Sequence, residues 1–476
     1  MSALYEITKQ ALFVIAAIGP TVVVIIADLL LYPFARYILP KLNYKQNVWT
    51  QFIVGFSLAL FIFKKQIITP IIMALVTYFI LDWNPFFTIS VAFIFSSAVH
   101  IYCMVTITTG WQWMVNSITM IMFQKVWMTT VNIFYGRKIE KGEKVRPIFE
   151  KSALKEKPPL LEWMTYVFSP FGSTSGPNSC YKIQEFTFGV GERPRISDDS
   201  KSHKAARKRF YMTFFWLVVS FISIKYANIE FYKRPIYVNA NYIGKLLLMM
   251  VCTLLHTVKY FSAWQSVEAG LYETGAGESG ITEFDDISNL TIFDVLMSDS
   301  VGIWLQRWNH SAHIFWKNYL LYPLLDLGVK YSLANPLIFV FSALWHGFHP
   351  VYYMLLPEML AATTADQLIN GMFPNLIKNG NFVVVLIYRF WIWMSMLVTT
   401  STWWYRSADA FFFVRKSQDY FGTILIFIVF AVVKVTSLFI KVKPRVRKPA
   451  VNDSKAEEIK KETTEKENSE EKTKTD

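Results

Sequence analysis

The chain is predicted to be an all-α, polytopic membrane protein, and three observations carry that expectation. Of its 476 residues, 53% are hydrophobic and only 17% are charged, and the mean hydropathy is +0.30. Apolar runs recur at roughly the 20 residues a helix needs to cross a hydrocarbon core of about 30 Å. Basic residues gather in short stretches beside those runs, so the formal net charge of +13 fits membrane topology and argues against nucleic acid as a partner.

In chain order, the first run, Ala11–Leu31, reads as a membrane helix. It is longer than the apolar core of a cleavable signal and lacks a basic segment before it. Further spans are expected at Trp49–Phe63, Ile67–Leu81, Phe86–Thr109, Phe210–Ile224, Ile243–Trp264, Leu333–Leu356, Phe382–Thr400 and Phe421–Ile440. Between Trp111 and Phe134 the polar residues Gln112, Asn116, Gln124 and Lys125 interrupt a Trp- and Met-rich stretch, which is either a span lining a polar interior or an interfacial helix. The total comes to about nine to eleven spans.

Two Lys/Arg-rich segments, 137–157 and 193–209, are expected on the cytosolic side. The acidic segment Glu268–Asp286 contains no Lys or Arg and can face the lumen, where Asn289-Leu290-Thr291 would be a glycosylation sequon. A membrane-embedded domain over residues 1–440 is followed by a basic juxtamembrane cluster, KVKPRVRK, and a charged tail without aromatic residues, together 441–476, expected to be a disordered cytosolic segment. Its last residues, Lys472-Thr473-Lys474-Thr475-Asp476, match the K-x-K-x-x signal for retrieval to the endoplasmic reticulum by cytosolic coat proteins. Cys103, Cys180 and Cys252 form no disulfide or metal spacing. There is no internal repeat, Walker loop or GxGxxG, which argues against a nucleotide-driven pump, and a transporter would be expected to show repeats in its two halves.

Four of the seven histidines fall in two short stretches, QRWNHSAHIFWKNY (His310, His313) and ALWHGFHP (His346, His349). Two His-x-x-His pairs on adjacent helices can hold a metal, but no carboxylate stands beside them to support such a site, so no metal is expected. For His100, His203 and His256 the expected role is a ring hydrogen-bonded to a backbone carbonyl, with His256 in a span without polar company, and the same role is expected for His310, His313 and His349, which lie near span ends where water is close. His346 differs, because it lies deep in an apolar pattern beside Trp345 and Gly347. An ionisable group at that depth is costly unless it faces a cavity, and neutral imidazole accepts a proton at neutral pH. It reads as a general base.

The segments FSALWHGFHPVYY, FDDISNL with WLQRWNHSAHIFWKNY, and LLEWMTYVFSPFGSTSGP resemble the membrane-bound O-acyltransferase (MBOAT) superfamily, and within it the lysophospholipid acyltransferase branch. The resemblance runs from about Leu4 to the end of the last span. It implies a bundle of membrane helices around a buried catalytic chamber, with His346 of the Trp-His-Gly motif and Asn309 of the Trp-Asn motif as the catalytic pair. It implies acyl-CoA as co-substrate, with no permanently bound cofactor, and a lysophospholipid accepting the acyl group, with the sn-2 hydroxyl expected. Other acceptors in the superfamily are proteins, sterols and diacylglycerol. In such a reaction His346 takes the proton of the attacking hydroxyl, while Asn309 either orients the imidazole or donates to the oxyanion. Two departures stand out: His310 and His313 beside Asn309, and the Ser-rich run SPFGSTSGPNSCYKIQEF.

Overall fold

The computed structural model describes residues 24–106, 114–440 and 442. They are largely helical, and no strand occurs among them beyond one isolated antiparallel bridge, Leu290 with Trp308. The main helices are α1 (Tyr44–Phe63), α2 (Ile68–Ile80), α3 (Pro85–Thr106), α4 (Val115–Glu140), α5 (Lys201–Tyr226) and α6 (Tyr242–Glu273). They are followed by α7 (Val301–Arg307), α8 (His310–Phe315), α9 (Tyr331–His346), α10 (Pro350–Met354), α11 (Leu356–Met372), α12 (Phe382–Thr400), α13 (Ala408–Lys416) and α14 (Phe421–Thr436). Several begin at a side chain that satisfies an orphan backbone N–H. Asn43 caps α1 in a reciprocal box with Gln46, Ser200 caps α5, Asn241 caps α6 and Asn381 caps α12.

The chain is a multi-pass membrane protein whose polarity is inverted relative to a water-soluble fold. Ile53, Leu60 and Phe61 of α1, Ile94 and Val105 of α3, Phe214 and Val218 of α5, and Phe382, Leu386 and Ile387 of α12 are all exposed. Charged and amide side chains instead lie inside. Four helical segments of the described residues are long and apolar enough to cross a membrane: Tyr44–Ile80, Pro85–Thr106, Tyr242–Glu273 and Phe382–Tyr405. The pair α13 and α14, bent by 83°, makes a fifth if counted as one span.

That is fewer than the nine to eleven spans expected, for identifiable reasons. The expected spans 49–63 and 67–81 are α1 and α2, joined without a loop through Lys64, whose φ of +49° breaks the helical axis. The expected span 333–356 is cut in two, since α9 ends at His346 and Gly347 turns the chain into α10. Helix α5 opens on Lys201, Lys204, Arg207, Lys208 and Arg209 before its apolar part. Ala11–Leu31 lies largely outside the described residues, as does the tail from 443 onward with its C-terminal signal.

The Trp111–Phe134 stretch resolves in favour of a polar interior. Apart from residues 111–113, which are not described, it forms α4, and its side chains from Ile118 to Ile133 are nearly all buried. There Lys125 Nζ donates to Tyr166 O at 2.7 Å and to Ser173 Oγ at 3.0 Å. Gln124 accepts from Asn178 at 2.8 Å.

The acidic segment proves to be internal wiring and carries no topology signal at its first members. Glu268 of α6 pairs with Arg209 of α5 at 2.7 Å, both buried. Glu273 holds Arg36 and His203, each at 2.8 Å. His203 was expected to bond a backbone carbonyl; it bonds a carboxylate, because α5 and α6 pack along each other. Arg36 also pairs with exposed Asp198 and holds that carboxyl below its usual range. At the other end of the molecule Arg415, fully buried, forks onto Glu358 of α11 at 3.0 and 2.7 Å, with Thr423 donating to the same carboxylate at 2.7 Å. The bend between α13 and α14 is built around this pair, with Asp419 and Tyr420 both at positive φ.

Removing one partner of a buried pair leaves the other charge unpaired. Glu358→Ala is therefore expected to cost about 3–5 kcal/mol, read as a large drop in melting temperature in detergent, whereas an exposed pair such as Lys233 with Glu230 should be removable with almost no change.

Candidate active site

His346 is the last residue of α9, and the reason α9 stops there is local. Gly347 has φ +111°, and a Cβ at that position would lie 2.8 Å from His100 Nδ1. A residue without a side chain is required on both counts. His100, on α3, holds the turn from behind: Nε2 is 3.1 Å from Trp345 O, and Asn116 Nδ2 is 3.4 Å from Nδ1. The two bonds fit the tautomer with the proton on Nε2. This agrees with the expected backbone bond for His100, but its acceptor is the residue before His346. Trp345 is anchored in turn by Nε1–H donating to Met120 O at 2.9 Å.

The His346 ring sits among Trp345 and Trp403, each with ring centroids 4.6 Å away, and Tyr352 at 5.7 Å. Among the described residues its nitrogens make no hydrogen bond. The half-buried ring opens onto a cavity of about 2150 Å³, larger than the roughly 300–1,000 Å³ typical for one small ligand.

Asn309 lines the same cavity, and a separate network places it. It has φ +49° and ψ +50°, the left-handed conformation that asparagine tolerates better than most residues, and it caps α8. On one side Trp308 bridges Leu290, and on the other His310 N donates to Asn289 O at 2.9 Å. Ser311 Oγ donates to Asn289 Oδ1 and accepts from Asn178 N at 2.9 Å. Behind these stands the Glu268 carboxylate, accepting from Asn289 N at 2.7 Å, from Ser288 Oγ at 2.9 Å and from Arg209. The Ser-rich run is thereby explained: its Gly176 (φ +83°) packs so close to Asn289 that a Cβ would meet Nδ2 at 2.5 Å. Thr174, Ser175 and Asn178 join Asn309 on the cavity wall.

Asn289 is 1% exposed, so the sequon at 289–291 is a structural element and not a glycosylation site. Its amide belongs to the network that sets Asn309. Among the described residues the Asn309 side chain itself makes no hydrogen bond.

The other histidines do not gather at a metal site; among the described residues no three His, Cys, Asp or Glu side chains form a metal-binding group. His310 bonds Gln306 O at 2.6 Å, while His313 lines the cavity. His256, expected to lack polar company, lies 3.2 Å from the Tyr405 hydroxyl and stacks on Trp404.

Charge on the cavity wall is one-sided. Arg146, Lys259, Arg307, Lys317 and Arg406 line it, and no Asp or Glu does. Arg146 has its carboxylate at hand, with Asp326 accepting from Nε and Nη2 at 3.0 and 2.6 Å. Reading the sequence missed Lys259 and Arg406; a cation inside an apolar or aromatic run was the signal that pointed to them.

The model of the MBOAT, membrane-bound O-acyltransferase, family matches residues 79–402, a stretch that contains both Asn309 and His346. Among curated relatives, the chain is 24% identical to Lysophospholipid acyltransferase 5 of Drosophila melanogaster over 246 residues, covering 50% of this chain and 48% of that protein. It is 25% identical to Membrane-bound glycerophospholipid O-acyltransferase 2 of Mus musculus over 308 residues, covering 59% and 56%. With Lysophospholipid acyltransferase of Saccharomyces cerevisiae the identity is 22% over 228 residues, covering 42% and 36%. The chain thus spans about half the length of the first relatives it matches.

The close approach at Gly347 makes a test of this geometry. Gly347→Ala should lower the melting temperature, through both the positive φ and the clash with His100, by an amount equivalent to about 1–3 kcal/mol. Adding His100→Ala should recover only part of it, because the backbone strain remains; full recovery would mean that φ is not a constraint here.

Proposed function

Because the chain belongs to the membrane-bound O-acyltransferase family, whose model covers residues 79–402, we propose that it transfers a fatty acyl group from acyl-CoA to the free hydroxyl of a lysophospholipid. The observation that carries this reading is that Asn309 and His346, with unengaged side chains, line one large cavity whose wall carries five cations and no carboxylate. Two lipid tails need that volume, and the phosphates of coenzyme A and of the lysolipid match that charge. The names of the relatives, Lysophospholipid acyltransferase and Membrane-bound glycerophospholipid O-acyltransferase, point the same way.

In this mechanism a His346 nitrogen takes the hydroxyl proton as the alcohol oxygen attacks the thioester carbon, which lets a weak nucleophile react at neutral pH. The oxyanion that forms needs a donor, and Asn309 has its NH₂ free for it, with no bond to His346 or to any other described side chain. Collapse of the tetrahedral intermediate breaks the C–S bond, and the imidazolium returns its proton to the departing thiolate. Phospholipid and free CoA leave. The aromatic wall of Trp345, Trp403 and Tyr352 keeps water from the thioester, which water would otherwise hydrolyse. The sn-2 hydroxyl is the proposed acceptor. Lysolipid and acyl chain reach the site from the bilayer and CoA from the cytosol, at the endoplasmic reticulum membrane where the Lys472–Asp476 signal would be read.

Purified protein in nanodiscs, given acyl-CoA, should release CoA thiol only when a lysophospholipid is added; release with a sterol, diacylglycerol or peptide in its place would move the activity to another acceptor. His346→Ala should reduce turnover about 10²–10⁴-fold with a melting temperature near wild type, because its ring is not hydrogen-bonded; Asn309→Ala should reduce turnover about 10²–10³-fold and lower the melting temperature by the equivalent of about 1–2 kcal/mol, since alanine tolerates the left-handed backbone less well. Turnover should also fall on the acid side, as protonation removes the base. Full activity in either variant removes that residue from the mechanism.

A further inference from the structure

Arg406 stands out among the cavity cations. It follows the single turn Trp403–Tyr405 in the left-handed conformation, with φ +57°, a strained position for a long side chain. Such strain persists only when its surroundings enforce it. Trp403, three residues earlier, packs against the His346 ring at 4.6 Å. Arg406 lines the cavity together with His346 and Tyr352, and its charge acts on both rings and on His349. Its Nη1 lies 3.8 Å from the sulfur of Met114, and among the described residues no carboxylate forms an ion pair with it. Lys259, another cation of the cavity wall, lies near it. A guanidinium held beside the proposed base and open to the cavity is set to receive an anion, and its planar fork suits phosphate oxygens.

Two phosphates are available in the proposed reaction, and chain length separates them. An extended chain advances about 1.2 Å per bond, three bonds spanning roughly 3.6 Å. In a lysophospholipid the acceptor oxygen on carbon 2 is four bonds from phosphorus, so the phosphate lies about 5 Å from the reacting atom. In acyl-CoA the pantetheine arm puts about thirteen bonds between sulfur and the first phosphorus, roughly 16 Å when extended. A cation next to His346 therefore meets the acceptor's phosphate, while that of the donor lies far along the cavity.

Resting on the acyl-transfer reading above, we propose that Arg406 binds the phosphodiester of the acceptor and so places the neighbouring hydroxyl at His346. This makes Arg406 a specificity residue that distinguishes a lysophospholipid from a monoacylglycerol of the same chain length, which presents the same sn-2 hydroxyl but has a second hydroxyl in place of the phosphodiester. Its positive charge, facing no carboxylate, also favours phosphate over a neutral polar head.

The test is a two-acceptor kinetic comparison in nanodiscs. Wild-type protein should prefer lysophospholipid to monoacylglycerol. Arg406→Asn, whose side chain tolerates the left-handed backbone, should lower that preference about 10- to 100-fold, the worth of a charge-assisted contact. It should do so by raising KM for the lysophospholipid and leaving KM for acyl-CoA unchanged, and Arg406→Lys should retain part of the preference. Should Arg406→Asn fail to fold by melting analysis, Arg406→Gln supplies a second neutral variant. A rise in KM for acyl-CoA in place of the acceptor would assign the arginine to the donor's phosphates and overturn the proposal. An equal loss with both acceptors would make its role structural and overturn it as well, as would a wild-type enzyme indifferent to the phosphate. Absence of any lysolipid-dependent CoA release in the wild type is a separate outcome, which sinks the acyl-transfer reading itself.

Discussion

The Glu268 carboxylate, buried and accepting from the backbone of Asn289, from Ser288 and from Arg209, is the contact on which the placement of Asn309 depends. It joins α5 and α6 to the loop before α7, and that loop fixes the left-handed turn at Asn309 through Asn289, His310 and Ser311. In hydrocarbon such polar groups have no water to fall back on, so each must find its partner inside the protein. These bonds hold the backbone at Asn309, and a fixed base is what a side chain needs if it is to meet a reacting carbonyl at a set distance.

The placement of His346 is set by sterics. His346 is presented because α9 cannot continue past Gly347, and Gly347 takes its conformation because the His100 ring fills the space a side chain would need. Two independent devices, one electrostatic and one steric, thus bring residues from separate helices to a common wall. Between them the cavity holds cations without carboxylates, so the field that an anionic substrate meets has one sign along its length.

Much of this was legible in the residues themselves. Composition and run length identified a membrane protein of helices, and the Trp-His-Gly and Trp-Asn segments singled out the two side chains that the fold brings to the cavity. For α4 the polar residues Gln124 and Lys125 left a choice between a polar interior and an interfacial helix, and its burial in the structure made that choice. The errors have a common origin. Glu268 and Glu273 read as acids of a segment that can face the lumen, Asn289 as a sequon beside it and His256 as a ring without polar company, because sequence displays neighbours along the chain and these groups find theirs across it. The pairs Arg209–Glu268, Arg36–Glu273 and Arg415–Glu358 are separated by 59, 237 and 57 residues.

By itself the sequence determined which segments must leave water, since hydrophobic run length sets that locally, and which residue types were present to carry acid–base chemistry. Tertiary structure alone decided that the 333–356 run breaks at His346, that Arg406 shares the cavity of that ring, and which carboxylate pairs with which arginine. Those outcomes depend on distances between helices, and such distances come from packing, where every neighbour's volume and charge contributes at once.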